Sequence, residues 1–154
     1  MYVNLRCARI YLAENRPAIV AAMHFNSAGI YYEQDDPSVI ESWRDGLALA
    51  GSLRSSLARF SLREENLRDM KKTDWPSYLA SRCRSVREFE SLYLCIQVMA
   101  LNEAELFYDA HSQPRGENDI TLHITINRHA PDVEIGRQLL KLFDACRRWT
   151  YDWI

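Results

Sequence analysis

The apolar residues of this chain switch period three times, and the order of those switches restricts the fold more than any single motif does. Near the N-terminus they alternate. Val3, Leu5 and Cys7 share one face of a strand read over residues 2–13, and AIVAAMHF (18–25) reads as a second strand. Asn26-Ser27-Ala28-Gly29 is a turn and Ile30-Tyr31-Tyr32 a short third strand. From residue 36 the spacing becomes three or four: Ile40, Trp43, Leu47, Ala50, Leu53, Leu57 and Phe60 form one stripe of a helix A. Asp36 suits its N-cap, and Pro37 its first position, where a missing N–H costs nothing. Gly46 and Gly51 interrupt helix A, each at a cost of about 1 kcal/mol against alanine. Close packing against a neighbouring element would explain both.

Two capping boxes follow. SLRE (61–64) predicts the start of a second, short helix, and SVRE (85–88) a turn of helix carrying Phe89. Between them, the charged run 68–72 reads as a solvated loop, and Trp75-Pro76 starts a helical piece through Leu79. LYLCIQVMA (92–100) fits either period. Its composition favours a strand, as does the hairpin that follows, with its turn at 101–103 and return strand at 105–108. SQPRGEN (112–118) is a loop, and 119–127 the last strand. Asp132 caps a C-terminal helix with the stripe Ile135, Leu139, Phe143, Cys146, Trp149 or Thr150, and Trp153. Strands do not alternate with crossover helices. The order predicts an α+β fold: an antiparallel sheet with helices packed on it, in a single two-layer domain over residues 1–154.

Composition excludes several classes. At 47% hydrophobic and 26% charged, the 154-residue chain has the material for a core and is not disordered. No apolar run approaches the roughly 20 residues of a membrane span, and the N-terminus has no apolar signal core, so a cytoplasmic protein is expected. Lys plus Arg total 19 against 21 acids, a net charge of −2, which argues against a dedicated nucleic-acid binder. Cys7, Cys83, Cys95 and Cys146 form no C-x-x-C pair and are expected to be reduced core thiols.

LHITIN (122–127) carries the one chemical candidate. His123-Ile124-Thr125-Ile126 is half the motif of the two-histidine phosphoesterases, in which a second histidine must face the first as acid to its base. His24, His111 and His129 have no hydroxyl residue two places on; His24 comes nearest, with Asn26 there. Plain β alternation writes the same letters, so His123 is expected to be non-catalytic. No phosphate-cradling glycine loop or metal-ligand spacing stands out, and no cofactor, metal or small-molecule substrate is expected.

The layout from Trp75 to residue 147 resembles a known family. It runs through SVREFE, a hairpin, a glycine-containing loop and a strand ending near a proline, then DVEIGRQLLKLFDACR. That last helix is similar to the final helix of immunity proteins of bacterial contact-dependent growth inhibition and related polymorphic toxin systems. Glu134, Ile135, Gly136, Leu139, Leu140, Phe143, Ala145 and Cys146 carry the likeness. The N-terminal strands and helix A have no counterpart in it. The resemblance implies a non-enzymatic protein that binds the toxin domain of its own system, often a nuclease, and blocks its active site. An inhibitor of a nuclease meets a basic cleft and needs clustered acids with aromatic anchors. Tyr31, Tyr32, Glu33, Asp35 and Asp36 supply such a cluster, continued by Glu41 and Asp45 on the polar side of helix A. A solvated turn would use the same letters. The next candidate is the aromatic C-terminus, Trp149, Tyr151 and Trp153. The alternatives are a phosphoesterase-like enzyme built on His123 and a partner-binding module unrelated to toxins.

Overall fold

The structure is a computed structural model. It describes residues 5–111 and 121–151, with side chains up to residue 146. The 112–118 loop, Val3, the Trp149 and Tyr151 side chains and Trp153 lie outside the described residues. Among the described residues, eight strands make one sheet. Six of them form its path in the order β3 (Tyr31–Glu33), β2 (Ala18–Phe25), β1 (Cys7–Leu12), β6 (Leu94–Ala100), β7 (Glu105–His111) and β8 (Thr121–Asn127). β4 (Ser38–Ile40) pairs with the start of β2, and β5 (Ser61–Leu62) with its end. Every pairing is antiparallel except that of β5 with β2. The fold is therefore α+β with an antiparallel sheet, as the periods predict.

The even-numbered residues Ala8, Ile10, Leu12, Ala18 and Val20 face α1 (Leu47–Ala58) and α4 (Asp132–Tyr151). Leu49, Leu53 and Leu57 of α1 and Ile135, Leu139, Phe143 and Cys146 of α4 close that core. The odd-numbered Tyr11, Ala13 and Ile19 face the other way, under Phe89 of α3 (Val86–Leu92), Trp75, and Tyr78 of α2 (Pro76–Ser81). β1 and β2 are thus covered on both faces, which is why AIVAAM is a continuous apolar run rather than an alternating one.

The ambiguous 92–100 segment divides as hydrogen bonding requires. α3 ends at Leu92, and β6 then lies in register with β1, from Cys7↔Met99 to Leu12↔Leu94. SVRE is a true cap: Ser85 Oγ accepts from Glu88 N (3.1 Å), while Glu88 Oε2 takes Arg84 N (2.6 Å).

Helix A is corrected. It begins at Leu47, ten residues later than Pro37, because Asp36 adopts a left-handed φ of 57° and Ser38–Ile40 pairs with β2 instead. Trp43 sits in the approach to α1, its indole N–H donating to the Arg16 carbonyl (2.8 Å) and its ring edge-on to Phe143. SLRE starts no helix. Ser61 Oγ lies 2.7 Å from His24 Nδ1 and Glu64 Oε1 accepts from Ser27 N (2.6 Å), so both capping groups are spent on β2 and its turn. Asp132 is the first residue of α4, and its carboxylate takes Arg54 Nε (2.5 Å) rather than a helix N–H.

Candidate partner-binding surfaces

The acidic segment divides into a buried part and an exposed part. Glu33 is 8% exposed, and four donors converge on its carboxylate: Tyr11 Oη (2.5 Å), Trp75 Nε1 (2.7 Å), Ser77 N (3.0 Å) and Ser77 Oγ (2.5 Å). A carboxylate so placed fixes α2 to the sheet. Tyr32 is also buried and donates to the Arg63 carbonyl (2.7 Å). Tyr31, half-buried against Phe25 and Phe60, donates to the Leu5 carbonyl (2.9 Å). Tyr32 is thus enclosed, and Tyr31 keeps part of its ring exposed.

Asp35 and Asp36 are exposed. They share an open groove of about 500 Å³ with Asp74, Pro37, Pro76 and Leu79. Leu79 is 60% exposed, so the groove has an apolar projection of its own. Sequence reading missed Asp74 and Leu79, because the Glu33 linkage that brings α2 beside residues 35–37 spans more than 40 residues. Glu41 and Asp45 are exposed but are not neighbours on a helix, since both precede α1. Asp45 Oδ1 accepts from Leu47 N (3.1 Å) and serves that helix's first turn. Glu41, on the far side of β4 from Asp36, does not line the groove. The exposed acids are therefore distributed rather than stacked on one face.

LHITIN is β8, as alternation predicts. Leu122, Ile124 and Ile126 pack on the main core, and His123 and Thr125 face solvent. The register sets Arg9, Gln97, Asp109 and His123 in one row across β1, β6, β7 and β8. Asp109 lies between two imidazoles, with Oδ1 3.3 Å from His123 Nδ1 and Oδ2 3.2 Å from His111 Nε2, and Phe107 stacks on His123 at 5.3 Å. The second histidine of a phosphoesterase is a different matter. His24, the nearest match, lies on β2, with β1, β6 and β7 between it and β8. Burial and then the Arg63 charge lower the pKa of His24, whose ring is engaged by Ser61. The two candidate half-motifs do not face each other. Among the described residues no group of three His, Cys, Asp or Glu is arranged to hold a metal ion.

No protein-family model and no curated protein matches the sequence. Solved structures do match the fold. A chain of the CdiA-CT/CdiI toxin and immunity complex from Yersinia pseudotuberculosis superposes with a TM-score of 0.67 at 10% identity, over 94% of this chain and 98% of that one. A protein of unknown function from Neisseria meningitidis gives the same TM-score at 16% identity, over 92% and 96%. The likeness to a toxin–immunity structure thus extends well beyond residues 75–147, through the N-terminal strands and α1.

Proposed function

We propose that this chain is a cytoplasmic immunity protein that binds the toxin domain of its own system and blocks its active site, without catalysing a reaction. The observation that carries the reading is the fold it shares, over nearly its whole length, with a chain of a toxin and immunity complex. The resemblance of its last helix points the same way. The toxin is proposed to be a nuclease, whose basic cleft would meet the exposed acids. Asp35 and Asp36, joined by Asp74 in one groove, are the proposed contact, with Leu79 in the anchoring place first expected of Tyr31 or Tyr32. Glu41 and Asp45 extend the negative surface.

The test is co-expression with the toxin domain encoded beside it, scored by growth and by co-purification. Native protein should protect. Reversing Asp35 and Glu41 to lysine should weaken binding by about tenfold or more and slow association, because exposed charges steer encounter and are screened beyond roughly 8 Å at physiological salt. The melting temperature should hardly move, since neither carboxylate supports a helix. Unchanged protection by that variant would place the interface elsewhere. Absence of any complex would sink the immunity reading itself.

A further inference from the structure

β8 ends the sheet on one side, and among the described residues no strand pairs with its outer edge. Which of its backbone groups point outward follows from one bond. Arg128 N donates to the Ala104 carbonyl (2.7 Å), next to the pair Glu105↔Asn127. In an antiparallel ladder such a bond flanks a pair that exchanges none of its own, and the two kinds of pair alternate. Leu106↔Ile126, Tyr108↔Ile124 and Ala110↔Leu122 are therefore the hydrogen-bonded pairs of β7 with β8. The N–H and C=O groups of Thr121, His123, Thr125 and Asn127 point the other way. The Asn127 carbonyl accepts from Ala130 N (3.0 Å), whereas the outward backbone groups of Thr121, His123 and Thr125 have no partner among the described residues.

The strand TLHITIN carries none of the devices that keep a sheet edge single. It has no lysine or other formal charge and no proline, and its register with β7 runs unbroken from Glu105↔Asn127 to His111↔Thr121, without a bulge. The opposite edge of the sheet is guarded. It is split into the three-residue strands β3 and β4, between which Asp36 takes a φ of 57° and Pro37 lacks an N–H. The helix-facing side of β8 is also left unfinished. Leu122, Ile124 and Ile126 are partly exposed, while their β7 partners Ala110, Tyr108 and Leu106 are buried. The apolar core runs out to the edge and is not closed there.

We infer that β8 pairs antiparallel with the β8 of a second copy of this chain, about a two-fold axis at Ile124, so that one sheet runs through a dimer. A second copy fits at every position. With Ile124 opposite its own mate, Leu122 meets Ile126 on the helix-facing side and extends the core. His123 meets Thr125 and Thr121 meets Asn127, and all four present their backbone groups outward, as a ladder requires. No formal charges oppose each other at neutral pH. The guarded β3–β4 edge stops growth at two copies. The pairing is about 24 Å long and smaller than a standard interface of about 800 Å² per partner, so the dimer is weak and depends on concentration. Asp35 and Asp36 lie at the far edge, and pairing leaves them free.

The experiment is sedimentation equilibrium of the full chain, with amide exchange followed by NMR over the same concentrations. The mass should rise from 18.0 kDa to twice that value and stop as concentration goes from micromolar to millimolar. Exchange should slow with concentration at His123 and Thr125, and stay constant at Ile124, whose amide already bonds to β7. Thr125→Pro removes one outward N–H per copy and no bond to β7, so it should weaken dimerisation by about tenfold or more. If that variant melts early, the exchange pattern of the native protein decides. A mass that stays at the monomer value, growth beyond two copies, exchange at His123 and Thr125 indifferent to concentration, or unchanged dimerisation of a folded Thr125→Pro would overturn the inference.

Discussion

Glu33 is the residue whose role depends most on its surroundings. In sequence it is one acid of a cluster; in the fold it is a buried acceptor for Tyr11, Trp75 and Ser77. An amide at this position would offer one acceptor oxygen and turn an NH₂ toward groups that are themselves donors. Glu33→Gln should therefore destabilise the protein by about 2–4 kcal/mol, the cost of one or two buried donors left unsatisfied, as read from urea unfolding. A loss below about 0.5 kcal/mol, typical of surface sites, would mean the carboxylate is solvated and belongs to the binding surface after all. The same contrast separates Ser61 from Ser85. Each opens an S-x-x-E box, and only Ser85 caps a helix, because His24 and Ser27 compete for the other pair.

Among the elements, α1 and α4 are fitted to each other through two glycines. Gly46, with φ of 81°, ends the approach to α1 directly against Gly136 of α4. A Cβ on Gly136 would collide with the Gly46 carbonyl, and one on Gly46 would come within 2.9 Å of the Gly136 carbonyl carbon. Gly136→Ala should cost about 1–3 kcal/mol, the usual price of overpacking. Gly51 behaves oppositely. Nothing lies within 4 Å of where its Cβ would be, so the close packing that explains Gly46 does not explain Gly51. Gly51→Ala should stabilise α1 by about 0.5–1 kcal/mol, raising the melting temperature by about 1–4 °C. Both signs can be read from one pair of calorimetric scans, and a stabilising Gly136→Ala would refute the contact. Ile135, Leu139, Phe143 and Cys146, the part of the α4 stripe within the described side chains, are buried as their spacing predicts. Leu139 has no exposed surface, and Leu139→Ala should lose about 2–5 kcal/mol in the same denaturant series.

At the scale of the molecule, the sheet is thick at one side and thin at the other. β1 is paired on both edges and buried on both faces, whereas β8 is an edge strand with one face in solvent, and β4 and β5 are short additions to β2. Amide exchange should follow that gradient. β1 and β6 should be the slowest and β4 and β5 the fastest, with β8 between them; protection of β8 exceeding that of β1 would contradict the strand order. The sequence by itself determined the α+β class, the strand nature of β1, β2, β7 and β8, the SVRE cap and the buried stripe of α4. These depend on period and on contacts a few residues apart, and such terms act along the chain whatever its partners. Only the tertiary structure decided that residues 38–40 join β2 instead of helix A, that Glu33 and Tyr32 are buried and Tyr31 half-buried, and that Asp74 and Leu79 stand beside Asp35. It alone brought Arg54 of α1 to Asp132 at the start of α4. In each of those cases the deciding partner lies about 20 to 80 residues away. A strand pairing, or a carboxylate surrounded by four donors, outweighs a local propensity worth about 1 kcal/mol or less per residue.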